Sequence, residues 1–127
     1  MIITEISTMT TPGAHELVIS RADGRDDGED WTEDFQQLPG DAGISIILES
    51  TSQPNRGPRL HKHPYAETFI IRRGSATFTI GSSQVIGRAG QVLVAPAETP
   101  HKFLTGPAGY EAVHIHASPR FVTDWLE

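Results

Sequence analysis

The stretch HKHPYAETFIIRRG, residues 61–74, sets two histidines on either side of a lysine and a glutamate four residues after the second. Side chains alternate faces along a strand, so His61 and His63 point the same way with Cα atoms about 6.6 Å apart. Two imidazoles at that spacing can converge on one ion at metal–nitrogen distances of about 2.0–2.1 Å. Glu67 shares their odd parity, but a straight strand would carry it roughly 13 Å beyond His63. The chain must therefore bend between them if all three are to meet, and Pro64 is suited to interrupting a ladder there. Two imidazoles and a carboxylate suit a first-row divalent metal better than calcium or magnesium.

A fourth donor is available downstream. In GQVLVAPAETPHKFL, residues 90–104, an apolar strand runs into Pro96, turns, and re-enters with His101 ahead of Phe103. In a small barrel this hairpin can face the first.

Working outward, Gly and Pro recur every several residues, and the segments between them are short and rich in Val, Ile, Thr and Phe. Many short strands imply a sandwich or barrel. Strands are predicted near IITEIS, HELVIS, GISIILEST, ETFIIRR, SATFTI, SQVIG, QVLVA, HKFL and YEAVHIHA. The connections RRGS, GSS and GRAG read as antiparallel hairpin turns. The terminal stretch SPRFVTDWLE is different. Ser118 is a favoured N-cap, Pro119 a favoured first helical residue, and Phe121, Val122, Trp125 and Leu126 share one helix face. A short helix over 118–126, docked on the barrel or on a partner subunit, is expected.

His61-Lys62-His63, Glu67 and Gly74 have the spacing of the first cupin motif, and Gly90, Pro96 and His101 that of the second, so the chain resembles the cupin superfamily. The resemblance covers residues 43–117. It departs from the usual pattern at Asn55 and Glu98, where glycine is common, and at Thr105, where asparagine is. It implies an all-β double-stranded β-helix, or jelly-roll barrel, with His61, His63, Glu67 and His101 as ligands to one divalent metal. Iron, manganese, nickel and zinc all suit such a set, and availability decides among them in the cell.

The 127 residues suit one domain, with a barrel core at about 43–117 and an acidic loop segment over 21–42. The absence of cysteine excludes a disulfide scaffold, a thiolate metal site and a cysteine nucleophile. The formal charge of −6, much of it in RADGRDDGEDWTED, leaves no basic stripe for nucleic acid. No signal-like leader and no apolar run of about 18 residues is evident, so a soluble, cytoplasmic protein is expected, with neither membrane nor nucleic acid as partner. A homodimer is expected, through the N-terminal strands or the Trp125 helix, because an uncovered sheet edge is a liability.

Phe69 and Ile71 share the parity of Glu67, and Phe103 that of His101, so these three should make the pocket walls apolar. Arg59 has the parity of His61 and could meet a substrate carboxylate near the rim. Tyr65 sits in the bend, where its hydroxyl could reach a bound substrate or simply cap the barrel mouth. His114 and His116 repeat the same-face pattern on the last strand. With Val113 and Ile115 read as that strand's apolar face, the histidines would point to solvent; otherwise His114 joins the pocket and His116 becomes a general-base candidate. No phosphate loop or serine nucleophile elbow is evident. The function that follows is metal-dependent chemistry on a small oxygen-bearing organic molecule, of dioxygenase type or of isomerase or lyase type. The competing reading is a metal-containing barrel that binds or senses a small ligand without turning it over.

Overall fold

The computed structural model describes residues 17–20 and 30–127. Among the described residues eight strands follow in order: β1 (Trp31–Phe35), β2 (Ser45–Thr51), β3 (His61–Lys62), β4 (Glu67–Ile80), β5 (Ser83–Arg88), β6 (Val92–Ala95), β7 (His101–His116) and β8 (Asp124–Trp125). The chain is all-β, a double-stranded β-helix curled into a jelly-roll barrel. Among the described residues, no helix is long and apolar enough to cross a membrane.

The framework is the antiparallel pair of β4 and β7, in register from Glu67↔His116 to Ile80↔His101. Each of these long strands joins two runs that the sequence reads as separate. RRGS is a bulge within β4, not a hairpin turn, with register shifts between Ile71 and Arg73 and between Gly74 and Ala76. Gly74 has φ +70°, and a Cβ there would overlap the Gly109 carbonyl oxygen. A bulge bends a strand without reversing it, which curls the sheet instead of ending it. GSS and GRAG do turn the chain, between β4 and β5 and between β5 and β6, with Gly81 and Gly90 at positive φ.

Strand pairing lines up three inward-facing rows. One is Ser45, His116, Glu67 and Ala95; the next is Asp34, Ile47, His114, Phe69 and Leu93; the third is Thr32, Glu49, Ala112 and Ile71. One end of the barrel is packed by Phe69, Ile71, Phe78, Phe103 and Tyr110. Phe69 meets Phe78 edge-on with centroids 4.9 Å apart, and Phe78 lies 5.4 Å from Phe103. The edge-to-face pair of Phe69 and Phe78 adds to simple area burial. The other end carries the polar rows.

Three expectations are corrected. The stretch 118–126 is not a helix: it bends, and Asp124–Trp125 pairs with β3 through His61↔Trp125 and Lys62↔Asp124. So short a helix gains few hydrogen bonds against its nucleation cost, whereas the extended chain meets the backbone of β3, as in Leu126 N–H to Leu60 C=O at 3.0 Å. The segment 21–42 is not wholly loop, because Trp31–Phe35 pairs with β2 and covers its edge. Residues 17–20 form no strand, with Leu17, Val18 and Ile19 exposed. The strand expected at 2–7 lies outside the described residues.

Candidate metal centre

The bend required between His63 and Glu67 is present: β3 ends at Lys62, the chain bends at Pro64–Tyr65, and β4 begins at Glu67. Glu98 N–H donates to His63 C=O at 2.7 Å, tying this bend to the turn that precedes His101. His61 faces His101 directly across β3 and β7. The four side chains are thereby brought together and buried, with their ligand atoms all within 4.8 Å of one another.

Their hydrogen bonds decide what they can do. His61 Nδ1 lies 2.7 Å from Arg59 C=O, His63 Nδ1 2.8 Å from Val122 C=O, and His101 Nδ1 2.9 Å from Thr99 C=O. A carbonyl only accepts, so each Nδ1 carries the proton and each Nε2 presents a lone pair to the centre. Yet Nε2 of His63 and of His101 lie 3.1 and 3.0 Å from the same Glu67 Oε1. Lone pairs aimed at a carboxylate oxygen need a cation between or beside them, either added protons or a metal ion. Three imidazole nitrogens of fixed tautomer and one carboxylate oxygen are a donor set for a divalent transition metal. The residues fit the ion.

Burial alone would raise the pKa of Glu67, but the contacts with His101, His116 and His63 outweigh it and hold the carboxyl well below its ordinary range. Burial likewise opposes protonation of His101, while Glu67 draws its pKa upward. For His61 burial prevails and the pKa falls.

His114 and His116 do not point to solvent. Pairing of His114 with Ile47 and Phe69, and of His116 with Ser45 and Glu67, fixes both on the inner face, while Val113 and Ile115 take the outer one. His116 differs from the ligand histidines. The Tyr65 hydroxyl accepts from Val122 N–H at 3.1 Å and lies 2.7 Å from His116 Nδ1. His116 Nε2 is buried and lies 3.2 Å from Glu67 Oε2. His114 is fully enclosed and burial pushes its pKa down to about 4, so the ring is neutral.

A cavity of about 550 Å³ opens onto the four grouped side chains, and Phe69, Phe103, His114 and His116 line it. Ile71 lies in the packed core and does not line it; Arg59 stacks its guanidinium 4.9 Å over the Trp125 ring; Tyr65 stands behind His116. Glu49, Ile47 and Asp34 line it too, and sequence reasoning missed all three. The signal for Ile47 and Glu49 is the parity of SIILEST, in which Ser45, Ile47 and Glu49 share one face.

Burial, aided by the charge of Glu67, pushes the Glu49 carboxyl up to about 7. A folded pKa above the unfolded value means stability that is intact at low pH and is lost as pH rises through the folded pKa. Glu49→Gln should therefore stabilise the chelator-treated protein relative to wild type by an amount that grows between pH 4.5 and about 7. The gain should reach about 1–3 kcal/mol. Denaturant midpoints across that range, with no growing gap between the two proteins, would refute it.

A family model described as "Cupin domain" matches residues 48–118. No curated protein sequence matches the chain. Among solved structures, a conserved protein of unknown function from Streptococcus pyogenes is 20% identical, with 76% of this chain and 80% of that one covered and a TM-score of 0.58. An oxalate oxidase is 19% identical over 87% of this chain and 64% of its own, with a TM-score of 0.69. Pumpkin seed globulin is 18% identical over 84% of this chain and 31% of its own, at 0.69. The chain thus spans less than two thirds of the oxidase and under a third of the globulin. At such identity these likenesses concern the fold alone.

Proposed function

The chain belongs to the cupin-domain family, and we propose on that premise that it is a metal-dependent enzyme acting on a small oxygen-bearing organic molecule held in the barrel. The observation that carries this reading is the shared tautomer of His61, His63 and His101, whose three Nδ1 atoms are committed to backbone carbonyls while their Nε2 atoms surround Glu67. A bound divalent iron, manganese, nickel or zinc ion would supply Lewis acidity there, and iron or manganese redox chemistry as well.

The chain's own residues would do the rest. His61, His63, Glu67 and His101 hold the ion. Phe69 and Phe103 limit water and strengthen every electrostatic contact inside. His116 lines the cavity, with the Tyr65 hydroxyl 2.7 Å from its Nδ1 and Glu67 Oε2 3.2 Å from its Nε2. Its imidazole is the candidate for acid–base assistance to a substrate oxygen in the cavity. The likeness to an oxalate oxidase supports oxidoreductase chemistry on a hydroxy or carboxylic acid as the first class to screen.

The test is elemental analysis of protein purified without an affinity tag, followed by melting before and after chelation. About one divalent ion per chain is expected, and its removal should lower the melting temperature, because a ligand bound only by the folded state stabilises it. Protein that holds no ion, and takes none from a panel of manganese, iron, cobalt, nickel and zinc, would rule the reading out. Metal bound with no turnover of any hydroxy or carboxylic acid in air would leave a binding barrel instead.

A further inference from the structure

The three histidines of the metal-ligating group are not oriented in the same way. His61 Nδ1 and His101 Nδ1 each meet the carbonyl two residues earlier, so their orientation is built into their own strands. His63 Nδ1 meets Val122 C=O instead, fifty-nine residues on, in the terminal stretch that pairs with β3. Thr123 Oγ1 lies 3.4 Å from the same nitrogen.

Both polar main-chain groups of Val122 are engaged at this corner of the site. Its C=O accepts from His63 at 2.8 Å, and its N–H donates to the Tyr65 hydroxyl at 3.1 Å. The Tyr65 ring in turn stacks on the His63 ring, with centroids 5.0 Å apart and planes 6° apart. The Val122 side chain is 45% exposed, so its own burial does not account for the placement. Phe121, Thr123 and Trp125 alternate with Val122 and line the cavity. The Phe121 ring meets that of His116 edge-on at 4.8 Å, and the Trp125 ring lies 5.0 Å from that of His61.

Apart from Val122, the stretch is attached near its two ends. Ser45 Oγ donates to Ser118 C=O at 2.7 Å, Gln37 N–H to Pro119 C=O at 2.6 Å, and Phe121 N–H to Gln36 Oε1 at 3.1 Å. At the other end Leu126 N–H donates to Leu60 C=O at 3.0 Å. β8 is two residues long, and Arg120, Val122 and residues 124–127 are exposed. A segment with so little buried apolar surface opens at low cost relative to the barrel.

We propose that residues 118–127 form a strap that completes the metal centre, with the Val122 carbonyl as the positioning group for His63, so that a bound ion holds the strap shut and a shut strap tightens the hold on the ion. This deepens the metal-ligating reading of His61, His63, Glu67 and His101 and rests on it. An open strap leaves His63 Nδ1 without its carbonyl and the ring free to turn, whereas His61 and His101 keep theirs. Such coupling is reciprocal. Losing the outer partner of a ligating histidine typically costs about 10–100-fold in metal affinity, so the ion should favour the shut strap by about that factor.

Trypsin reads the strap, because Arg120 is exposed and lies within it. Cleavage there releases residues 121–127, whereas cleavage at Arg73, paired with Glu111 in the framework of β4 and β7, requires the barrel to open. Full-length protein freed of metal by chelation is digested at rising concentrations of free zinc, a redox-inert ion, and both products are followed by mass spectrometry. Release of 121–127 is expected to slow by about 10–100-fold and then level off, because zinc no longer discriminates once the shut and open forms both carry it. Cleavage at Arg73 should go on slowing as zinc rises, because the unfolded chain lacks the assembled site. Gln36→Ala removes the acceptor of Phe121 N–H and touches no ligand. It should speed release of 121–127 by about two- to tenfold and leave cleavage at Arg73 unchanged. Release that ignores zinc, release that slows without levelling off, or a Gln36→Ala protein in which both sites speed up alike would overturn the inference. Protein that takes up no zinc fails in the metal analysis itself, and the premise falls with it.

Discussion

Glu67→Ala is expected to weaken divalent-metal binding by at least about 100-fold, or close to 3 kcal/mol, and to purify essentially metal-free. Loss of a residue that merely orients a ligand typically costs 10–100-fold, and Glu67 is a prospective ligand itself. Its Oε1 lies at hydrogen-bond distance from Nε2 of both His63 and His101, while its Oε2 lies 3.2 Å from His116 Nε2. Without the carboxylate, three imidazoles remain around an ion with no anion to offset its charge in a buried site. Glu67→Gln keeps an oxygen and the side-chain volume but not the charge, so it should fall between Ala and wild type. Competition against a chromophoric chelator gives both affinities, and circular dichroism confirms that the barrel has formed. Wild-type affinity in a folded Glu67→Ala protein would mean that the ion, if any, binds elsewhere.

The ligand constellation was legible because its signal is local. His61, His63 and Glu67 lie within seven residues, parity sets the two histidines on one face, and Pro64 supplies the bend. His101 needed only one further hairpin. The apolar wall at Phe69 and Phe103 followed from the same parity rule. What failed was long-range or depended on packing. Nothing within IIRRGSAT says whether Gly74 ends a strand or bulges within it; the Gly109 backbone, thirty-five residues on, decides that. The facing of His114 and His116 is equally non-local, because alternation assigns them a common face but only pairing with β2 and β4 shows it to be the inner one. Hydrophobicity misled there, since Val113 and Ile115 look like the buried set. The terminal segment has a favourable helix start, yet tertiary pairing with β3 outweighs so short a local preference. Glu49 went unnoticed because a lone glutamate in SIILEST reads as a solvent-facing strand position.

Phe69→Ala is expected to destabilise the protein by about 3–5 kcal/mol, the range for removing a fully buried aromatic ring. Phe69 is 1% exposed and stands where the packed core meets the candidate metal centre. On the core side its ring meets Phe78 at 4.9 Å and Phe103 at 6.3 Å. On the other it meets His114 at 4.9 Å and His101 at 6.0 Å, edge-on in both cases. Collapse into the vacated space is hindered, because Phe69 is fixed in mid-strand between β6 and β7, so most of the lost contact should register as instability. Phe69→Leu refills much of the volume and should cost about half as much. Metal affinity should drop as well, but by less than in Glu67→Ala, since His101 loses a supporting ring and keeps its Thr99 hydrogen bond. Urea denaturation of chelator-treated protein isolates the packing effect from the metal. A loss below about 1 kcal/mol in Phe69→Ala would mean that the barrel interior relaxes around the gap, and that the ring is not what separates the core from the cavity.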